Sequence, residues 1–337
     1  MIVKVSELKE KVLEGVNKLG YEGDDAKTIA DVLLYAQLRG NNQGITKIAT
    51  GGVPKADDVE EFKIAKENKC GALFSGGHSM VASAKAAVKA VELAKEHGVG
   101  VVGSNHTHTS SGSIGYFARK IAEAGYIGFI SVGNGDFAAV APAGSTEPKL
   151  GTNPFAYAFP YEGGEVVFDT ATAAIAYFGV MEALLTGKSL PDGVAINAAG
   201  EPTTNAKEVV GKGEGESVGG AIKTFAGYKG FGLSLFVQLM GSAFTLAGIP
   251  GANEEDGGGT FVLAIDPGLL AGKEEYMKRA TQLVNSMHNA KPIPGEEVTV
   301  PGERGDALVK RHEESGEIEI ADEIWNELVA FVGEEQK

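Results

Sequence analysis

A single cysteine, Cys70, stands among 337 residues. An internal disulfide is therefore excluded, and so is any zinc site built from thiolates. In ENKCGALF that thiol reads as a buried structural residue where a helix ends and a strand begins. Clustered positive charge is missing as well. Lys and Arg total 30 against 45 Asp and Glu, a formal net charge of −15, and no basic run offers a face for nucleic acid or an anionic membrane. No stretch approaches the roughly 20 uninterrupted apolar residues of a membrane helix. The opening MIVKVSELKEKV is charged and periodic, without an apolar signal core, so the expected location is the cytoplasm. No repeat of solenoid period is present.

What is there is ordinary globular text, 43% hydrophobic and 22% charged, enough to bury a core. The 48 glycines imply many turns and close backbone approaches. Val5, Leu8, Val12, Val16 and Leu19 recur at helical spacing, predicting a helix from about Ser6 that stops at Gly20. Asp24 is the expected cap of a second helix carrying Ile29, Leu33 and Ala36, which runs to Leu38 and stops at Gly40. A third helix is expected after Pro54, through Val59, Phe62 and Ala65. The Ala-rich SMVASAKAAVKAVELAKEHG then gives a helix and VGVVGS a strand, followed by IGYFARKIAEAG (helix) and YIGFISVG (strand). NPFAYAFP, EVVFD and GTFVLAID read as further strands, and TATAAIAYFGVMEALLTG and FGLSLFVQLMGSAFTLAG as buried helices. Residues from about 187 to 227 read as surface loops, and helices are expected near 274–288 and 321–332. The organisation is an α/β (α+β) chain. Residues 71–289 form a central α/β domain with a mixed sheet, and 1–70 with 290–337 a smaller, mainly helical domain.

GVGVVG (98–103) matches the dinucleotide fingerprint G-x-G-x-x-G, which needs a strand before the glycines and a helix after them. Here the order is reversed, so the match is a decoy. GNGDFA (133–138) follows a strand, but Pro142 denies it a helix and no acidic residue sits about 20 positions on. The fold is not expected to be Rossmann. In GSNHTHTSSGSIGYFARK, His106 and His108 alternate, a spacing open to three readings: a two-imidazole metal site, a solvated loop, or one imidazole moving a proton beside bound substrate. No third metal ligand lies nearby, so no metal is expected. His78, in SGGHSM, reads as a capping or loop residue. Arg39, in LRGNNQG, is either a cation on a helix C-terminus or a carboxylate clamp. KLGTNP places Lys149 before Thr152 and Asn153, and Pro154 pushes Asn153 toward an extended conformation. DTATAA sets Asp169 and Thr170 at a strand-to-helix junction suited to a phosphate. GYKGFG puts Lys229 between glycines at a helix start, and PGER (301–304) reads as a turn.

Taken in order, LRGNNQG, SNH…SGSIGYFA, APAGSTEPKLGTNPFAYAFP, DTATAAIAYFG, GYKGFGL and VPGE resemble the type-2 malate/L-lactate dehydrogenase family over nearly the whole chain. The resemblance implies a non-Rossmann fold that binds NAD or NADP, and a homodimer with the active site near its interface. It also implies hydride transfer between nicotinamide and C2 of a small 2-oxo or 2-hydroxy carboxylic acid. It puts the general acid on His106, a carboxylate clamp on Arg39 and further substrate contacts on Gln43, Lys149, Thr152 and Asn153. Cofactor contacts fall on Asp169, Ala171, Thr172, Ala173, Lys229, Gly230, Gly302, Glu303 and Arg304.

Two departures stand out. Asn42-Gln43-Gly44 replaces a common Ser-His-Gly, and glutamine delivers no proton at neutral pH. About four extra residues, THTS, follow His106, so His108 is an equal candidate for the acid. Two further readings stay open: a reductase of cyclic imino acids such as pyrroline- or piperideine-2-carboxylate, and a nicotinamide-binding protein with little turnover.

Overall fold

The computed structural model describes every residue except 42, 50, 136–137, 211–218, 253 and 334–337. β1 (Ile2–Lys4) leads into α1 (Val5–Lys18), α2 (Gly23–Leu38) and the four-residue α3 (Thr46–Ala49). Val5, Leu8, Val12 and Val16 form the buried stripe of α1, as their spacing requires. Gly20 and Gly40 follow the two helices with φ of +90° and +68°, the left-handed stop that glycine takes without strain. Asp24 does not cap α2. The helix already opens at Gly23, and no side chain caps its first turn.

Past Pro54 the expected third helix is absent. A 3-10 turn (Ala56–Asp58) leads to β2 (Lys63–Asn68), which pairs antiparallel with β3 (Gly71–Ser75). The spacing of Val59, Phe62 and Ala65 fits a helix, but all six β2 residues are exposed. They form a sheet-edge strand whose lysines face water, a usual protection of an open edge. Cys70 lies in the turn between these strands and is exposed; it is not a buried thiol.

The chain continues through α4 (Ser79–His97), β4 (Val99–Thr107), α5 (Gly115–Glu123), β5 (Ile127–Gly133), β6 (Val140–Ala141), β7 (Pro154–Tyr161) and β8 (Gly164–Ala171). Then come α6 (Tyr177–Thr186), β9 (Ala195–Ile196), β10 (Pro202–Thr203), β11 (Ala221–Lys223) and α7 (Tyr228–Gln238), which runs on as a π-helical turn (Leu239–Ala243). β12 (Gly258–Ile265), α8 (Gly268–Ala271), α9 (Lys273–His288), α10 (Glu303–Ser315), β13 (Glu317–Glu319) and α11 (Asp322–Gly333) complete it. Three expectations change here. α7 and its π-helical extension, expected to be buried, leave Phe236, Leu239 and, just beyond, Phe244 exposed. α6 starts only at Tyr177, because residues 169–171 are still strand, and the 301–304 segment opens a full helix, α10.

The main sheet has seven strands in the order β2-β3-β4-β12-β5-β7-β8. Only β3 and β4 run parallel; every other neighbouring pair is antiparallel. That pattern is a mixed sheet, unlike the parallel sheet of a Rossmann fold. The glycines of GVGVVG serve packing within it. A Cβ on Gly100 would lie 2.0 Å from the Ala90 carbonyl oxygen of α4, and one on Gly103 would meet Thr245 at 2.9 Å. Since residues 100 and 103 face opposite sides of a strand, the two glycines admit close neighbours on both faces of β4.

A second lobe grows from the ends of β5 and β8. β10-β9-β11-β6 form its small sheet, and Val140, Phe178, Val180 and Ile222 belong to its own buried cluster. The segment expected as surface loops thus carries three short strands, while 211–218 lie outside the described residues.

β13 pairs with β1, and Trp325 and Leu328 of α11 are buried in the main core. The C-terminal segment is also tied by charge. Asp306 of α10 accepts from Arg39 at 2.6 Å and from Arg119 of α5 at 2.8 Å, and Arg119 reaches Glu165 of β8 at 2.8 Å. Replacing Asp306 with Ala strands the largely covered Arg39 guanidinium and leaves Arg119 with Glu165 alone. The expected loss is about 1–2 kcal/mol, reduced by screening at the half-open carboxylate. Urea unfolding checks it: an unchanged midpoint in Asp306→Ala contradicts this role, and the loss should shrink at high salt.

Candidate active site

Where the N-terminal helices, the C-terminal ends of β4, β5 and β8, and the second lobe meet, a cleft of about 840 Å³ opens. That is within the range of small-molecule sites. Its histidine comes from a bulge. Pairing between β4 and β12 shifts between Gly258 and Thr260, opposite Thr107 and Ser104. His106 falls inside this irregularity with φ of +53°, a left-handed conformation unusual for a side chain that is not glycine. Thr107 and His108 line the cleft and His106 does not. The His108 imidazole lies against Gly257, where a Cβ would come within 2.8 Å of its ring. The simple alternation that put both imidazoles on one face fails because the strand bulges at His106.

The loop after His108 is held from below by Asp169. The Ser113 hydroxyl donates to its carboxylate at 2.8 Å and the Gly115 N–H at 2.7 Å. Asp169 thereby caps α5 from a different strand, satisfying a free N–H at the helix start. Gly115 permits this approach, since a Cβ there would sit 2.9 Å from the Asp169 Cβ. Burial pushes the Asp169 carboxyl above its ordinary value, and these two donors pull it back down.

Opposite this loop stands a residue that the sequence reading missed. Lys47 of α3 is fully buried and lines the cleft. Its ammonium donates to the Ser110 hydroxyl at 2.7 Å and lies 3.3 Å from the centroid of the Phe178 ring, a cation–π contact. Phe178 is the second residue of α6, whose N-cap Ala176 offers no side-chain cap. Ala173, Ala174 and Ala176 line the cleft just before that helix, the first two with their N–H groups given to the Thr152 and Lys223 carbonyls, so the N-terminal end of α6 and an ammonium converge on one wall. Both favour an anion. The only signal in the sequence is a lysine between Ile45 and Ile48, four residues after Gln43.

His78 lies behind Lys47 as the N-cap of α4, accepting from the Met80 N–H at Nδ1, the capping role expected of it. Burial, with the Lys47 charge, lowers its pKa to about 3, so it stays neutral at physiological pH.

Of the expected site residues, Gln43, Thr152, His108, Asp169, Ala171 and Ala173 line the cleft. Asn153 lies just beneath, fully buried at φ of +44°, donating to Ser234; it is left-handed, not extended. Thr172 is buried and donates to the Thr152 and Asn153 carbonyls, which fixes that strand end. Arg39 is not at the cleft. It is bound to Asp306 and stacked 3.9 Å from the Tyr35 ring centroid. Lys149 is exposed and paired with Glu147 at 2.6 Å. Lys229 and Gly230 lie in the first turn of α7. Glu303 accepts from the Val300 N–H in the turn before its helix and meets His288 at 2.8 Å. With Gly302 and Arg304 it lies off the cleft lining. Among the described residues, no group of three or more His, Cys, Asp or Glu is placed to hold a metal ion, and no helix is long and apolar enough to cross a membrane.

The sequence profile of the malate/L-lactate dehydrogenases matches residues 3–329. The chain belongs to the malate/L-lactate dehydrogenase family. Among its relatives, the L-sulfolactate dehydrogenase of Methanocaldococcus jannaschii is 31% identical, over 99% of this chain and 97% of that protein. The malate dehydrogenase of Pyrococcus abyssi is 34% identical, over 89% and 85%. A solved structure of sulfolactate dehydrogenase from M. jannaschii superposes with a TM-score of 0.80 at 30% identity, covering 98% of this chain and 96% of that one. Membership of this malate/L-lactate dehydrogenase family makes the chain an oxidoreductase, and its mixed sheet is the fold of these relatives.

The buried imidazole gives a pH test. His78 titrates near 6.5 when unfolded and near 3 when folded, so its contribution is fully present above pH 6.5 and is lost as pH falls toward 3. The slope is about 1.4 kcal/mol per pH unit in that window. His78→Asn keeps the cap and should flatten the fall in unfolding free energy between pH 6.5 and 4. An equal slope in both proteins contradicts the assignment.

Proposed function

We propose that this oxidoreductase transfers a hydride between a nicotinamide cofactor and C2 of a small 2-oxo or 2-hydroxy carboxylic acid. The observation that carries the reading is the pairing, in one cleft, of a buried lysine with a histidine on the facing loop. Lys47 and the uncapped start of α6 form an anion site for the substrate carboxylate. His108, beyond the bulge, is the group suited to donate a proton to the C2 oxygen during reduction. Relatives named for malate and for sulfolactate, both 2-hydroxy acids, support the same class.

The cleft volume admits the nicotinamide end of a dinucleotide beside a small acid. The alanines at 171, 173 and 174 leave its wall open, and the positive end of the α6 dipole suits a phosphate as well as a carboxylate. A bound reduced nicotinamide supplies the hydride. The protein's part is to hold the carboxylate at Lys47, so that C2 is fixed in place, and to protonate the oxygen from His108. In the reduction the C2=O π bond breaks, a C–H and an O–H bond form, and the imidazole is left neutral. Gln43 lines the site and orients substrate through its amide without moving a proton.

The active unit is a homodimer in this reading. Phe236, Leu239, Phe244 and Leu246, along α7 and the turn beyond it, are 46–67% exposed, an apolar face of the kind that subunits cover.

Oxidation of NADH and of NADPH by the purified protein tests the proposal, with pyruvate, 2-oxobutyrate, hydroxypyruvate, oxaloacetate and the two cyclic imino acids as substrates. Turnover of 2-oxo acids is expected. His108→Ala should lower kcat by about 10²–10⁴-fold, with His106→Ala close to wild type. Turnover of imino acids alone, or a loss confined to His106→Ala, contradicts the proposal.

A further inference from the structure

The charges lining the cleft bear on which acids it accepts. Among the described residues that line it, Lys47 is the single lysine or arginine, against one carboxyl group, Asp169. Beside the Phe178 ring, the wall around Lys47 carries polar, uncharged side chains. Ser110 accepts from the ammonium, and Thr109 and Ser111 flank it on the same loop. Gln43 lies four residues before Lys47, and its N–H donates to the Asn41 side chain at 2.9 Å. All of these line the cleft. Hydroxyl and amide side chains both donate and accept, so they can satisfy neutral polar atoms in any orientation. A second anionic group would enter with no second lysine or arginine to meet it, since the His108 imidazolium is engaged at the C2 oxygen, and the chain's net charge of −15 adds repulsion at long range.

We propose that the substrate is monoanionic: a 2-oxo acid, or its 2-hydroxy partner, whose one charge is the C1 carboxylate and whose tail carries hydroxyl or amide groups. The inference rests on the oxidoreductase reading above and narrows it to acids without a second carboxylate or a sulfonate. Lys47 takes the carboxylate. The hydroxyls of 109–111 and the amides of Asn41 and Gln43 take the tail.

The experiment compares kcat/KM for hydroxypyruvate and 2-oxogluconate, whose tails are neutral and hydroxylated, with oxaloacetate and 3-sulfopyruvate, which carry a second charge. Leaving one charge desolvated without a partner predicts a preference of about 30-fold or more for the neutral tails. Gln43→Arg, which adds a cation near Lys47, should narrow that gap by raising kcat/KM for the doubly charged acids. Equal or faster turnover of oxaloacetate or 3-sulfopyruvate by the unaltered protein overturns the inference while leaving the oxidoreductase reading intact. So does a preference that Gln43→Arg fails to narrow, since the selectivity is then not electrostatic. No turnover of any of the four acids, with either cofactor, overturns both.

Discussion

An ammonium group taken out of water is the constraint around which the cleft is arranged. Desolvating a lysine is expensive unless polar partners replace its hydration, and Lys47 has no exposed surface. Its contacts draw together parts of the chain that are remote in sequence: the Ser110 hydroxyl from the histidine loop and the Phe178 ring from the second lobe. The Gly51–Gly52 turn packs over its stem, since a Cβ at Gly52 would meet both Phe178 and Lys47 at about 3 Å. The same charge helps keep His78 neutral behind it. A cation so placed, at the rim of a helix N-terminus, suits a small anion bound beside a proton donor.

His108, the proposed proton donor, is positioned by backbone as much as by side chains. The β4 bulge rotates the strand end so that His108 faces the cleft, with His106 taking up the irregular conformation. Asp169 then anchors the loop beyond it by capping α5 and accepting from Ser113. Asp169 thus links β8, α5 and the histidine loop. Loosening it would move the imidazole without touching substrate. The Arg39–Asp306–Arg119–Glu165 chain of ion pairs does similar work one layer away, fastening the C-terminal helix to the elements that carry the site.

Most of the regular structure was legible because it rests on local pattern. The stripe of α1, the alanine-rich α4, the strands of the main sheet other than β2 and the cap at His78 follow from spacing and composition. The order of helix, glycines and strand around GVGVVG was enough to reject a dinucleotide loop. What could not be read depends on distant partners. Arg39 looks the same whether it clamps a substrate or pairs with Asp306, 267 residues away. Val59, Phe62 and Ala65 fit a helical period, yet β3 offered an edge for pairing and that segment became a strand. Lys47 carried almost no signal, because a lysine between two isoleucines stands out only once Ser110 and Phe178 close around it. Alternation assigned both histidines to one face, and a single bulged residue separated them.

The central claim is that Lys47 holds the substrate carboxylate. Calorimetric titration of oxamate, a nonreactive carboxylate analogue of a 2-oxo acid, into the protein loaded with reduced cofactor tests it most directly. Losing a desolvated, charge-assisted contact predicts that Lys47→Met weakens oxamate by about 30-fold or more, with Lys47→Arg recovering much of it and cofactor affinity nearly unchanged. Oxamate bound equally well by Lys47→Met would contradict the account and place the carboxylate elsewhere.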